Sequence, residues 1–319
     1  MPAIVTHNYF GTLAYDLIRE EVGDSKDCLE AFLLGNQGPD PLFYLVIDPA
    51  LSEWTPYGTH LHREKTDEVL AAFRRSFDII PKGNLDVARA YALGFLCHYL
   101  LDREAHPLVY AQEYALTEQG IPGLDKDIRE QVHQTIECQF DEVVLFRHMN
   151  TTLREFAPPR HLLKADRGVL KTISTMYLYV LLTVFNDIPP ESLYARSVQL
   201  WRAALRLLYS KRGYKRSFIV RAEQWMRNLS PFGALCMRAE PREESTFENN
   251  DHMVWVDPST GEERTECFEN LFEAALGKVQ RTAELFLKPD FNAEMAHEIT
   301  HGIEFNGRPF GDLPLLVEN

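Results

Sequence analysis

From Tyr91 to Pro107 the chain reads Tyr-Ala-Leu-Gly-Phe-Leu-Cys-His-Tyr-Leu-Leu-Asp-Arg-Glu-Ala-His-Pro, an apolar run in which His98, Asp102 and His106 recur every four residues. In an α-helix four residues climb about 6 Å and overshoot one turn by about 40°. One helix face therefore presents imidazole, carboxylate and imidazole in a row. Among such apolar neighbours an ionised group is costly unless it is paired or bound to a cation. His133 and Glu137 repeat the interval, and six of the eleven histidines precede residue 134. Taken alone, each His/carboxylate pair reads as a surface ion pair or a core histidine. Five such side chains within forty positions point instead to divalent metal, with the central Asp102 able to bridge two ions through its two oxygens.

Helical periodicity governs the chain wherever Pro, Gly and Asn do not interrupt it, and no alternating run carries a hairpin signal. The pattern predicts an all-α, multi-helix fold. Helices are expected at 8–21, 27–34, 65–77, 86–104, 125–149, 163–185, 191–209, 214–227, 267–287 and near Ala293. Breaks fall at Gly35-Asn36-Gln37-Gly38-Pro39, Pro81-Lys82-Gly83-Asn84 and Ile121-Pro122-Gly123, with Asp86 and Asp125 as candidate N-caps. Phe156-Ala157-Pro158-Pro159-Arg160 is the one subdomain joint. It divides a histidine-rich core, 1–155, from a helical C-terminal region, 156–319, expected to pack on the core as one unit. The polar stretch 230–265 reads as a lid or binding loop.

A formal charge of −14 and a pI near 5.3 exclude bulk electrostatic binding of long nucleic acid, which needs clustered Lys and Arg. The one local basic cluster, Lys211, Arg212, Lys215, Arg216 and Arg221, reads as a solvated helix face or a phosphate contact. The first residues lack a basic region followed by an apolar stretch, so residence in the cytoplasm is the expectation. The longest apolar run, 173–185, is shorter than the roughly 20 residues of a membrane span and reads as a buried helix. Five scattered cysteines with no CxxC pair fit reduced thiols. Cys97 and Cys138 adjoin proposed ligands and read as small apolar residues or, less simply, thiolate ligands.

Four segments carry a family likeness: Thr6-His7-Asn8-Tyr9-Phe10; Gly35-Asn36-Gln37-Gly38-Pro39-Asp40 followed by Pro41-Leu42-Phe43-Tyr44; Leu61-His62-Arg63-Glu64-Lys65-Thr66; and 94–107 continued by His133 and Glu137. In content and order they resemble the zinc-dependent phospholipase C family, whose helical fold is shared with fungal single-strand nucleases. The resemblance implies up to three zinc ions. One would take Asp40, His62, His98 and Asp102. A second would take His106, His133 and Glu137, and a third would share Asp102 and add His7. In secreted relatives the first residue of the mature chain, typically Trp, completes the third site; this sequence begins Met1-Pro2, and removal of Met1 would leave the Pro2 nitrogen for that place. His60 and His62 both stand at the start of the helix expected at 65–77 and only one need reach the metal; His62 has the better matching context, with His60 a supporting or solvated residue.

The activity this implies is hydrolysis of a phosphodiester by metal-activated water, with Asp102 bridging ions and Asp40 binding metal and orienting or deprotonating the water. A phospholipid or other small phosphoester is the expected substrate, and manganese or iron would also suit mixed His and carboxylate ligands. A nuclease or nucleotidase on the same scaffold is the enzymatic alternative; a noncatalytic, metal-stabilised helical protein is the other. Trp54 and Tyr57 read as core packing or as the site entrance, where aromatic faces would hold choline or a base. His252 and Trp255 could fold over the site. His148, His161, His297 and His301 show no usable carboxylate pattern.

Overall fold

The computed structural model describes residues 3–118, 128–226 and 236–311. Its elements are α1 (Ile4–Leu17), α2 (Arg19–Val22), α3 (Lys26–Gly35), a 3-10 segment (Asp40–Ile47), α4 (Pro56–Arg63), α5 (Thr66–Arg75) and α6 (Leu85–Thr117). They continue with α7 (Arg129–Val143), α8 (Leu153–Phe156), α9 (Pro158–His161), α10 (Arg167–Val180), α11 (Leu193–Leu208) and α12 (Tyr214–Met226). Three further helices span Phe268–Leu276, Val279–Phe286 and Ala293–Thr300. The fold is predominantly helical, as the periodicity predicts. Among the described residues the strands are β1 (Trp255–Val256) and β2 (Glu263–Arg264), an antiparallel pair with Trp255 opposite Arg264. This hairpin corrects the sequence expectation of no hairpin signal, and its turn is local: Asp257 Oδ1 accepts from the Ser259 and Thr260 amides at 2.8 and 3.3 Å, and Gly261 supplies a positive φ of 73°.

Several boundaries differ from the sequence expectation for local reasons. The histidine pair 60/62 lies at the end of a separate helix, α4, because Lys65 adopts φ 54° and divides α4 from α5. Helix α6 runs through Pro107 to Thr117 rather than stopping near Glu104. Asp86 lies inside its first turn rather than capping it, and the expected cap at Asp125 falls outside the described residues. The helix expected at 267–287 is two helices separated at Gly277-Lys278.

The chain forms two compact units. The first draws on residues 1–9, 105–162 and 203–271, the second on 10–104, 163–202 and 272–319. In the first, the Asp141 side chain of α7 accepts from the Val5 and Thr6 amides at 3.2 and 2.8 Å and from the Thr6 hydroxyl at 2.8 Å. It thereby satisfies free N–H groups at the start of α1, a cap supplied from another helix. Phe140 stacks on Phe268 with centroids 4.3 Å apart.

In the second unit, α3 and α6 cross backbone to backbone at Gly35 and Gly94. A Cβ on Gly35 would lie 2.3 Å from the Tyr91 carbonyl oxygen, and one on Gly94 would lie 2.1 Å from that of Phe32. This close approach brings the Asn36–Asp40 turn down onto His98. Helix α10 with its final turn, Arg167–Phe185, meets the length and composition of a membrane span, yet Ile173, Met176, Tyr177, Val180 and Leu181 are fully buried inside the unit. It is a core helix, and its N-terminus is capped by Asp166, which accepts from the Val169 amide at 2.9 Å.

Candidate metal centres

In the second unit the ligand candidates converge from three elements. Asp40 opens the 3-10 segment, His62 ends α4, and His98 and Asp102 stand one turn apart on α6. Asp40, His98 and Asp102 are buried, and the His62 side chain is only 13% exposed. Two backbone carbonyls orient the rings: His62 Nδ1 lies 2.5 Å from Gly58 O, and His98 Nδ1 lies 3.1 Å from Asn36 O. A carbonyl oxygen only accepts, so each Nδ1 carries a hydrogen, and in its neutral form each ring turns an Nε2 lone pair inward.

Those two Nε2 atoms face each other at 3.3 Å. Asp40 Oδ1 is 3.3 Å from the His62 Nε2, and Asp102 Oδ2 is 3.2 Å from the His98 Nε2 and 3.6 Å from the His62 Nε2. Lone pairs converging on one another repel unless something positive sits among them. Four ligands held about 2.0–2.1 Å from a tetrahedral ion lie about 3.3 Å from each other. Asp40, His62 and His98 therefore fit a divalent cation such as zinc in both chemistry and spacing, with an Asp102 oxygen beside both rings. Electrostatics agree: burial opposes charge on His62, yet Asp40 and Asp102 outweigh it and raise its pKa. Burial likewise opposes ionisation of Asp40, and the His62 hydrogen bond with the charge of His98 holds its carboxyl below the usual range.

Gly38 makes this geometry possible. It sits at φ 49°, and a Cβ there would lie 2.2 Å from His98 Cδ2, so the turn backbone rests directly on the ligand ring. On another side Phe305 covers both imidazoles, its centroid 5.4 Å from His62 and 5.8 Å from His98. Nothing in the order of the sequence links residue 305 to this site.

In the first unit His106 on α6 and His133 and Glu137 on α7 place their ligating atoms within 4.8 Å of one another. Glu137 Oε1 lies 3.5 Å from His106 Nε2 and 3.3 Å from His133 Nε2. Glu113, two turns beyond His106, was missed by the spacing argument. Its Oε2 lies 3.1 Å from His133 Nδ1, fixing that ring so that Nε2 faces Glu137. Burial opposes the charge, but Glu137 and Glu113 push the His133 pKa up to about 9, and Glu137 is held well below its usual range by His133 and His106. The group strongly favours positive charge at its centre. A tetrahedral ion held by these three donors would keep one position for water, as catalytic rather than structural zinc does.

His7 is buried on α1 of the first unit. Met1 and Pro2, candidates for a terminal ligand, lie outside the described residues. His60 is half exposed and pairs with Glu64 at 2.7 Å, while His62 is the one grouped with Asp40 and His98. Cys97 and Cys138 are buried, and burial pushes both thiols up, which marks them as apolar packing residues. Trp54 and Tyr57 stack at 5.4 Å beside Phe185, on and just before the helix that carries His62. His252 and Trp255 are held by their own hairpin, bonding the Thr265 and Glu266 carbonyls. In the basic cluster, Lys215 bonds the Leu207 carbonyl and Arg216 that of Cys236, so both serve local structure. His148 and His297 do have carboxylate partners, Glu269 at 3.1 Å and Asp67 at 2.8 Å, both too distant in sequence for a spacing argument.

A helical scaffold that gathers imidazoles and carboxylates into buried clusters of this spacing is that of a metal-dependent hydrolase. Comparison with family models agrees: residues 6–165 match the zinc dependent phospholipase C model. The chain belongs to the zinc-dependent phospholipase C family, a family of zinc-dependent phosphoester hydrolases, and it carries His and carboxylate clusters able to hold metal ions. Neither the search of curated proteins nor that of solved structures finds a match.

Proposed function

We propose that the protein hydrolyses a phosphodiester bond of a phospholipid by direct attack of water. Asp40, His62, His98 and Asp102 hold one zinc ion, and His106, His133 and Glu137 hold a second. His7 is assigned to a third ion by the family likeness. Zinc bound at such donors supplies a water acidic enough to ionise near neutral pH and charge to offset the phosphoryl oxygens. The protein's own share is positional. Asp40 orients the attacking water and takes its proton. Glu113 and the Gly58 and Asn36 carbonyls lock the imidazoles so that no ring must reorganise. The aromatic faces of Trp54 and Tyr57 offer a quaternary ammonium headgroup a cation–π contact.

The facing Nε2 atoms of His62 and His98, each with its Nδ1 on a carbonyl, are the observation that carries this reading. The acidic chain disfavours long nucleic acid as substrate. Five buried, free cysteines accord with a reducing, cytoplasmic setting. The test is a panel of phosphatidylcholine, nucleotides and single-stranded DNA offered to zinc-loaded protein. Release of phosphocholine supports the reading; cleavage of nucleotides or DNA alone overturns it.

A further inference from the structure

The turn that delivers Asp40 is held by an oxygen two residues earlier. Three phenol hydroxyls converge on the Gly38 carbonyl: Tyr91 at 3.3 Å, Tyr177 at 3.0 Å and Tyr194 at 3.3 Å. They come from α6, α10 and α11, and all three side chains are fully buried. The hydroxyls of Tyr91 and Tyr177 also meet at 2.8 Å, and the rings of Tyr177 and Tyr194 stack at 4.2 Å. Burial raises all three phenols far above their ordinary range, so each is neutral and able to donate.

A carbonyl oxygen has two lone pairs and each phenol one hydrogen, and one of Tyr91 and Tyr177 gives its hydrogen to the other; three hydroxyls gathered on one oxygen are still more than backbone satisfaction needs. Three buried hydroxyls brought together at this point fix the oxygen from several directions at once. Gly38 is also pressed on its other side against the His98 ring, so the turn cannot shift without moving a ligand. Two of the three phenols, Tyr177 and Tyr194, belong to the part of the chain beyond the family match, which ends at residue 165.

We propose that Tyr91, Tyr177 and Tyr194 are positioning residues for the zinc centre, clamping the Gly38 carbonyl so that Asp40 and His98 are held at ligand spacing before metal arrives. This rests on the assignment of Asp40, His62, His98 and Asp102 as a zinc site. It gives helices α10 and α11 a role in the chemistry of the matched half. Preorganisation of this kind acts on metal affinity, as other groups that orient metal ligands do.

The experiment compares full-length wild type with Tyr177→Phe, Tyr194→Phe and the double variant. A control, Tyr99→Phe, deletes a hydroxyl that bonds the Ile303 carbonyl at 2.8 Å in the same unit. Zinc dissociation constants are measured by competition with a chromophoric chelator, and melting temperatures are measured on metal-free protein. Loss of a phenol of the clamp is expected to weaken one zinc by about 10- to 100-fold. Tyr99→Phe is expected to lower the metal-free melting temperature comparably and leave zinc affinity unchanged. Clamp variants that bind zinc as tightly as wild type, or that weaken it no more than Tyr99→Phe at equal loss of stability, overturn the proposal. Wild type that binds no zinc overturns the assignment of the site instead, so the two failures are distinct.

Discussion

Replacing Gly38 with alanine places a methyl group where the His98 ring now lies. The new Cβ would sit 2.2 Å from His98 Cδ2, against 3.4 Å or more for ordinary contact. Ring or turn must therefore yield by about 1 Å, whereas a zinc site tolerates ligand displacements of roughly 0.2 Å. The left-handed backbone adds about 1–2 kcal/mol of strain for any residue with a Cβ, and overpacking adds about 1–3 kcal/mol. A total destabilisation of about 2–5 kcal/mol is expected, with zinc weakened beyond the roughly 100-fold reached by changes outside the ligand shell. The assay is metal content after dialysis against buffered zinc, together with melting curves with and without zinc. Gly83→Ala is the control, since a Cβ there meets nothing within 4 Å. If Gly38→Ala retains zinc at wild-type affinity, the packing of the turn on His98 does not set the site.

Glu113→Gln keeps an acceptor for the His133 ring but removes the charge, and is expected to weaken one zinc about tenfold, read by chelator competition. His62→Ala is expected to lose one zinc and all hydrolysis while His60→Ala keeps both, as metal analysis and turnover will show. The His133 pKa lies near 9 without metal, above its ordinary value, so below that pH zinc must displace a proton. Affinity at that centre should accordingly rise about tenfold per pH unit from 6 to 9 and level off above, measured by titration at fixed pH; a flat profile contradicts the assignment. Asp141→Ala should lower stability by about 1–2 kcal/mol, the scale of a lost helix cap, measured by chemical denaturation.

How much could be read in advance depended on the range of each interaction. The His98, Asp102, His106 row and the His133, Glu137 pair are fixed by helix geometry, and the structure places both on helices. His62 was ambiguous because the break at Lys65 depends on a left-handed residue that Lys does not advertise. Helix α6 passes Pro107 because packing of the helix outweighs one lost hydrogen bond, a balance invisible to a local rule. Glu113, Phe305 and the three tyrosines escaped because their partners lie far away in sequence, from 20 residues for Glu113 and His133 to 243 for Phe305 and His62, or because a buried tyrosine looks like any core aromatic. The turn at Asp257–Gly261, by contrast, was written locally and overlooked for lack of alternation in its two-residue strands.

The decisive measurement is an anomalous-scattering map at the zinc edge from crystals of the zinc-loaded protein. The account requires one peak bounded by Asp40, His62, His98 and Asp102 and another bounded by His106, His133 and Glu137. Crystals soaked in saturating zinc that show no peak at either place, with the imidazoles still paired only to protein, would contradict it.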